Sequence, residues 1–98
     1  MTTYFTKNPS MVARKIAGEF ILVPIRQDVG NLQFMYTLNE VGGRIWELLD
    51  GTGTTAEEIV TVLTEEFEVE APEAGADVNE FLEQMKEIGA VVERTQEG

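Results

Sequence analysis

The sequence predicts an α+β domain in which a three-stranded antiparallel sheet is followed by three helices. Short apolar and β-branched runs, separated by turn-forming residues, fill residues 11–38. From residue 40 onward apolar residues recur at helical spacing, and each helical segment begins with a capping residue. The 98 residues are expected to form a single domain, with its core at about residues 8–92, because domains typically contain about 50–250 residues.

The three predicted strands lie close together in the first part of the chain. Met11–Ala17 and Phe20–Ile25 flank a tight turn at residues 18–19, and Pro24 marks the end of the second strand or a bulge in it. Leu32–Leu38 alternates between larger apolar and other side chains, as a strand with one buried face does. Since consecutive strands with short connections usually pair, we expect a meander with the first and third strands at its edges.

The first two predicted helices begin at recognisable caps. Asn39 is a suitable N-cap for a helix over Glu40–Leu49. Thr55 and Glu58 form a capping-box pattern that opens the second helix. Trp46, on the first helix, is interpreted as a core anchor.

A loop, a helix and a tail are predicted for the last part of the chain. Residues Glu68–Ala76 are interpreted as a loop because they contain a proline and a glycine. The third helix is then predicted to begin at Asp77, in a second capping-box pattern, and to end at Gly89. Residues 91–92 are expected to pack on the core, and a polar tail is predicted from Glu93.

The composition argues against catalysis and against metal binding. The sequence contains no cysteine and no histidine, so thiolate nucleophiles, zinc–thiolate sites and histidine bases are not available. Ser10, the one serine, therefore has no histidine to activate it. The acidic residues do not follow the spacing of a calcium-binding loop. We therefore predict no catalytic residue, no metal site, no cofactor and no enzymatic activity.

The net charge of −11 is distributed unevenly and disfavours two classes of partner. Residues 1–46 carry five basic and three acidic side chains, whereas residues 47–98 carry two basic and fifteen acidic ones. Such a surface repels phosphate backbones and anionic lipids, so neither nucleic acid nor membrane is expected as a partner. A DNA-binding winged helix would need a basic third helix, and this one is acidic. Without a long apolar run or a signal-peptide pattern, we expect a cytoplasmic protein.

The third predicted strand is poorly protected against pairing with another chain. It contains no charged residue and no proline between Leu32 and Leu38, although edge strands usually carry such residues. Two interpretations follow. The edge is covered by the chain's own C-terminal segment or by a second copy of the protein, or it binds a peptide that adds as a further strand.

Several short motifs, in this order and spacing, resemble those of the PqqD family. They are LNEVGGRIWELLDG at residues 38–51, TAEEI at 55–59, DVNEFL at 77–82 and Ile-Gly at 88–89, and the resemblance covers roughly residues 8–92. It implies a winged-helix-like domain that serves as the recognition element of a ribosomal peptide modification system. The founding members act in pyrroloquinoline quinone biosynthesis, but the resemblance does not name the product here.

The resemblance also implies a partner and a site. Such elements bind the leader region of a precursor peptide and present it to a modifying enzyme, of the radical S-adenosylmethionine type in the founding members. The leader adds as a strand in the cleft between the third strand and the third helix. Carried onto this chain, the peptide-binding residues are Gln33, Phe34, Met35, Tyr36 and Thr37 on the strand and Val78, Leu82, Met85 and Lys86 on the helix. A monomer or weak homodimer is expected, and the alternative function is a dimerisation domain whose edge strand pairs with itself.

Overall fold

The computed structural model describes residues 1–24, 36–49 and 53–96. Within these ranges the chain is α+β, and the predicted three-stranded antiparallel sheet and three helices are confirmed. The elements, in chain order, are β1 (Thr2–Lys7), β2 (Met11–Ile16), β3 (Glu19–Pro24), β4 (Tyr36–Leu38), α1 (Glu40–Leu48), α2 (Ala56–Glu66), α3 (Ala71–Glu87) and β5 (Val91–Gln96).

The larger sheet has the strand order β2-β3-β4, with each neighbouring pair antiparallel. Ile16 pairs with Glu19, so the tight turn consists of Ala17 and Gly18 and not of residues 18–19 as predicted. Their φ angles are 53° and 85°. Positive φ at both central residues is typical of the type I′ turn, whose twist matches that of the flanking strands. Alanine rarely adopts this conformation, which explains why the sequence pattern placed the turn one residue too late.

A second, two-stranded sheet joins the two ends of the chain. β1 pairs antiparallel with β5, in a register that runs from Thr2 opposite Gln96 to Lys7 opposite Val91. The sequence prediction assigned no strand to the N-terminal residues and a polar tail from Glu93, and both assignments were wrong. Each strand contributes only one buried side chain, Phe5 or Val91, so neither shows the apolar alternation by which strands are recognised.

The third helix begins six residues earlier than predicted. α3 spans Ala71–Glu87, so most of the segment interpreted as a loop is helical. Pro72 lies in the first turn, where a fixed φ suits a helix and the missing N–H is not needed. Ala74 packs in the core with 1% of its surface exposed, and this burial stabilises the added turns. None of the helices in the described ranges is long and apolar enough to cross a bilayer.

Two of the three helix caps predicted from the sequence are confirmed, and the capping box predicted at Asp77 is wrong because Asp77 lies inside α3. The Asn39 side chain accepts a hydrogen bond from the Gly42 N–H at 2.7 Å, at the start of α1. The Thr55 hydroxyl accepts one from the Glu58 N–H at 3.2 Å, at the start of α2. Each bond satisfies a backbone donor that has no partner within its own helix.

Asn8 ties the start of the chain to the end of α3. Its backbone N–H donates to the Ala90 carbonyl at 2.8 Å, and its side-chain amide donates to the Gly89 carbonyl at 2.7 Å. Its side-chain oxygen accepts from the Ser10 N–H at 2.9 Å. Ser10 is itself buried in this junction, so its position has a structural explanation that requires no nucleophilic role.

The core lies between the larger sheet and the three helices. Its most completely buried large side chains come from β3, from the three helices and from the residue that directly follows α1: Leu22, Ile45, Leu49, Ile59, Leu63 and Val78. Trp46 is 3% exposed, which confirms it as a core residue, and the Lys7 ammonium lies 5.5 Å from the centre of its ring.

Two consecutive glycines allow α1 to pack closely against both neighbours. A Cβ atom at Gly43 would lie 2.5 Å from Cδ2 of Phe20 on β3. A Cβ atom at Gly42 would lie 3.2 Å from Cε1 of Phe81 on α3. Any side chain at Gly43 would therefore displace an aromatic ring in a packed interface.

We expect Gly43→Ala to lower the free energy of unfolding by about 1–3 kcal/mol, because the new methyl group must displace the Phe20 ring. Gly75→Ala on α3 is the matched control, since a Cβ there meets nothing within 4 Å. That replacement should raise the stability by about 0.5–1 kcal/mol, as alanine restricts the unfolded chain. Urea unfolding of both variants provides the measurement, and equal effects would contradict the proposed packing.

Candidate functional site

The candidate site begins at β4, which lies at an edge of the larger sheet within the described ranges. Tyr36, Thr37 and Leu38 pair with Leu22, Ile21 and Phe20 of β3. Leu38 is buried, Tyr36 packs half-buried against the core, and Thr37 is exposed. The predicted edge position of the third strand is therefore confirmed for Tyr36–Leu38. Gln33, Phe34 and Met35, also predicted as site residues, lie outside the described residues.

The C-terminal segment does not cover this edge. Residues Val91–Gln96 pair with β1 in the smaller sheet, not with β4 in the larger one. The interpretation that the chain's own C-terminal segment covers the edge strand is therefore wrong for residues 91–96.

A groove opens where β4 passes into α1. It has a volume of about 270 Å³ and lies between the first turns of α1 and the middle of α3. Its lining residues combine apolar and acidic side chains: Asn39, Val41, Gly42, Ile45, Asp77, Glu80, Phe81 and Gln84. The groove adjoins β4 directly, because Asn39 follows Leu38 in the chain.

Helical spacing brings the α3 side of the groove together. Three residues of α3 follow Asp77 at helical spacing, three, four and seven positions along: Glu80, Phe81 and Gln84. Residues at this spacing share one face of a helix. Opposite them, the Gly42 backbone of α1 packs close to Phe81, because a Cβ atom at Gly42 would lie only 3.2 Å from Cε1 of that ring. The groove is therefore bordered by a close contact between α1 and α3.

The family model described as coenzyme PQQ synthesis protein D (PqqD) matches residues 19–91. The chain belongs to the PqqD family. The matched region contains β3, β4, the three helices and the groove, whereas β1, β2 and nearly all of β5 lie outside it. Comparison with curated protein sequences gives no match.

Two solved structures share the fold of this family member. TbiB1 in complex with the TbiA(beta) leader peptide has 26% sequence identity and a TM-score of 0.71, over 88% of this chain and 93% of that one. Lasso peptide synthetase B1 complexed with the leader peptide has 24% identity and a TM-score of 0.72, over 91% of this chain and 98% of that one. The second likeness, at this identity, concerns the fold alone.

The helix residues chosen from the resemblance lie beside the groove face and not on it. Val78, Leu82 and Met85 are 0%, 2% and 4% exposed and belong to the core. Lys86 is half-buried, and its ammonium contacts Glu93 at 3.1 Å and Glu83 at 3.5 Å. The hydrogen bond to Glu93, with the added charge of Glu83, raises the pKa of Lys86 above its ordinary value. A contact between any of the four and a ligand stays a prediction.

Sequence reasoning missed the groove-facing residues of α3. The capping-box pattern at residues 77–80 assigns Asp77 and Glu80 to a helix start, and no sequence motif includes Gln84. A signal was present, because these three and Phe81 follow the spacing of one helix face. The opposing wall on α1 depends on tertiary packing, which no local pattern reports.

The arrangement is suited to holding a chain by its backbone and one side chain. Among the described residues, no group of three or more acidic side chains is placed to hold a metal ion. Within the same ranges, every buried side-chain nitrogen and oxygen has a hydrogen-bond partner. A strand edge with an adjoining groove offers main-chain pairing and a side-chain pocket, the two parts of recognition by strand addition.

Leu82→Ala should lower the free energy of unfolding by about 2–5 kcal/mol, because it leaves a cavity in the core. Gln84→Ala, two residues along on the exposed groove face, should change it by less than about 0.5 kcal/mol. Thermal or urea unfolding tests the pair. A similar stability for both variants would mean that Leu82 does not lie in the core and is accessible to a ligand.

Proposed function

We propose that this protein binds the leader region of a ribosomally made precursor peptide and presents it to a partner modifying enzyme. The leader is held as an additional strand beside β4. The observation that carries the proposal is the position of β4, at a sheet edge and next to a groove. The relation to TbiB1, a protein solved with a leader peptide bound, supports the same ligand class.

The proposal assigns no chemical step to this chain. Its sequence contains no histidine and no cysteine, the side chains that most often act as bases and thiolate nucleophiles. Modification of the peptide is assigned to the partner enzyme. We propose that this partner is a radical S-adenosylmethionine enzyme, the class that the family resemblance implies. Because ribosomal peptides are made in the cytoplasm, the proposal places the protein there.

Strand addition predicts a specific pattern of nuclear magnetic resonance shifts. As the probe we would use a peptide selected on the protein from a random 12-residue display library and then synthesised. On titration, the amide signals of Tyr36–Leu38 and of the groove residues of α3 should shift most, with a Kd in the micromolar range, or about −8 kcal/mol. Shifts confined to α2, at residues 57–67, would contradict the proposed site.

N-methylation of the same peptide supplies the control for main-chain pairing. In an added strand, alternate peptide N–H groups point toward β4, so methylation at every second position should abolish binding. Methylation at the intervening positions should have little effect. This control changes only the peptide, so the protein stays unaltered. Loss of binding without the alternation would contradict strand addition.

The alternative, self-pairing of β4 in a homodimer, uses the same edge and makes the opposite prediction in sedimentation. The proposed function expects a monomer, or a weak dimer that the selected peptide dissociates. A tight dimer whose mass is unchanged by saturating peptide would favour the dimerisation domain instead.

A further inference from the structure

We infer that the groove between α1 and α3 binds a lysine or arginine side chain of the peptide held at β4. This assignment rests on the proposed function and specifies one residue class of its ligand. The groove combines two features that such a side chain needs, an apolar floor and an acidic wall.

The acidic wall consists of Asp77 and Glu80, one turn apart on α3. Both side chains are exposed, and neither has an ion-pair partner among the described residues. The neighbouring cations Arg44 and Lys86 pair with other carboxylates. The wall is therefore negative and lacks a counter-charge from the described chain.

The basic residues of α1 and α3 are already paired away from the groove. The Arg44 Nε donates to Glu66 on α2 at 2.7 Å, and its Nη1 lies 3.6 Å from Glu47. Lys86 is held by Glu83 and Glu93. An incoming cation would thus find two carboxylates for which no described basic side chain competes.

The apolar floor is formed by Val41, Ile45 and Phe81. Ile45 and Phe81 are 1% and 9% exposed, so the floor is fixed by core packing. Lysine and arginine have a methylene stem that covers apolar surface while the charged end remains in water or on a carboxylate. A glutamate side chain would be repelled by Asp77 and Glu80, and a leucine side chain would form no ion pair with them.

The size and position of the groove fit one side chain of an anchored peptide. Its volume of about 270 Å³ lies below the range of roughly 300–1,000 Å³ that is usual for sites of free small molecules. It begins at Asn39, where β4 ends. For a peptide that runs antiparallel to β4, the basic residue would lie on the N-terminal side of the paired segment.

The test compares charge-removed forms of both partners. Peptides selected from the random 12-residue library should be enriched in lysine or arginine at one position. That position should lie outside the segment that pairs with β4, which is the segment where N-methylation has its alternating effect. Replacing that residue by norleucine or citrulline should weaken binding to the unaltered protein by about 3–10-fold. The same replacement should have no effect on the Asp77→Asn/Glu80→Gln variant, because the groove charge is already gone.

A second double variant separates the groove from the total charge. Glu65→Gln/Glu87→Gln also removes two exposed carboxylates, but neither lines the groove. It should bind the basic peptide within about twofold of the unaltered protein when measured near 0.15 M salt. All four carboxylates are exposed, so the two double variants should fold alike.

The possible results distinguish failure of this inference from failure of the proposed function. If the alternating N-methyl pattern is present but no basic position is enriched, or norleucine binds equally well, the groove assignment is wrong and strand addition stands. If both double variants weaken binding equally, the effect belongs to the total charge and the groove assignment is also wrong. If no peptide is selected, or the alternation is missing, the proposed function fails and this inference fails with it.

Discussion

The first turns of α1 pass between the Phe20 ring of β3 and the Phe81 ring of α3, where a side chain does not fit. A Cβ atom at Gly43 would lie 2.5 Å from Phe20, and one at Gly42 would lie 3.2 Å from Phe81. Glycine within a helix costs up to about 1 kcal/mol relative to alanine, and here close packing on two aromatic rings offsets that cost. Gly42 and Phe81 also line the groove. The contact that packs α1 against α3 therefore forms part of the wall of the candidate pocket.

The parts of the fold that could be predicted are those encoded by neighbouring residues. The caps at Asn39 and Thr55 bond to donors three residues away, and these bonds are present. The pairing of β1 with β5 joins residues at opposite ends of the chain and has no local signature. The early start of α3 was missed for another reason. A proline and a glycine suggested a loop, although Pro72 lies where a helix accepts proline and Ala74 is fixed by the core.

The edge position of the strand could be predicted from the sequence, whereas the groove beside it could not. A strand without charge or proline is recognisable as an unprotected edge, and β4 lies at one. On α3 the apolar stripe was the visible pattern, but an amphipathic helix buries its apolar stripe in its own core, as Val78 and Leu82 do. The border of that stripe faces the groove. A border residue such as Glu80 cannot be distinguished from a solvated one until the opposing helix is in place.

An edge strand alone gives affinity but little selectivity, because main-chain hydrogen bonds are the same for nearly every peptide sequence. Selectivity must come from side-chain pockets beside the strand. The net charge of −11 does not provide it, since exposed charges are screened beyond about 8 Å at physiological salt. Only carboxylates within contact distance of the peptide can discriminate between its side chains. Asp77 and Glu80 line the groove that adjoins β4, so the proposed selectivity depends on the location of these two charges and not on the total charge.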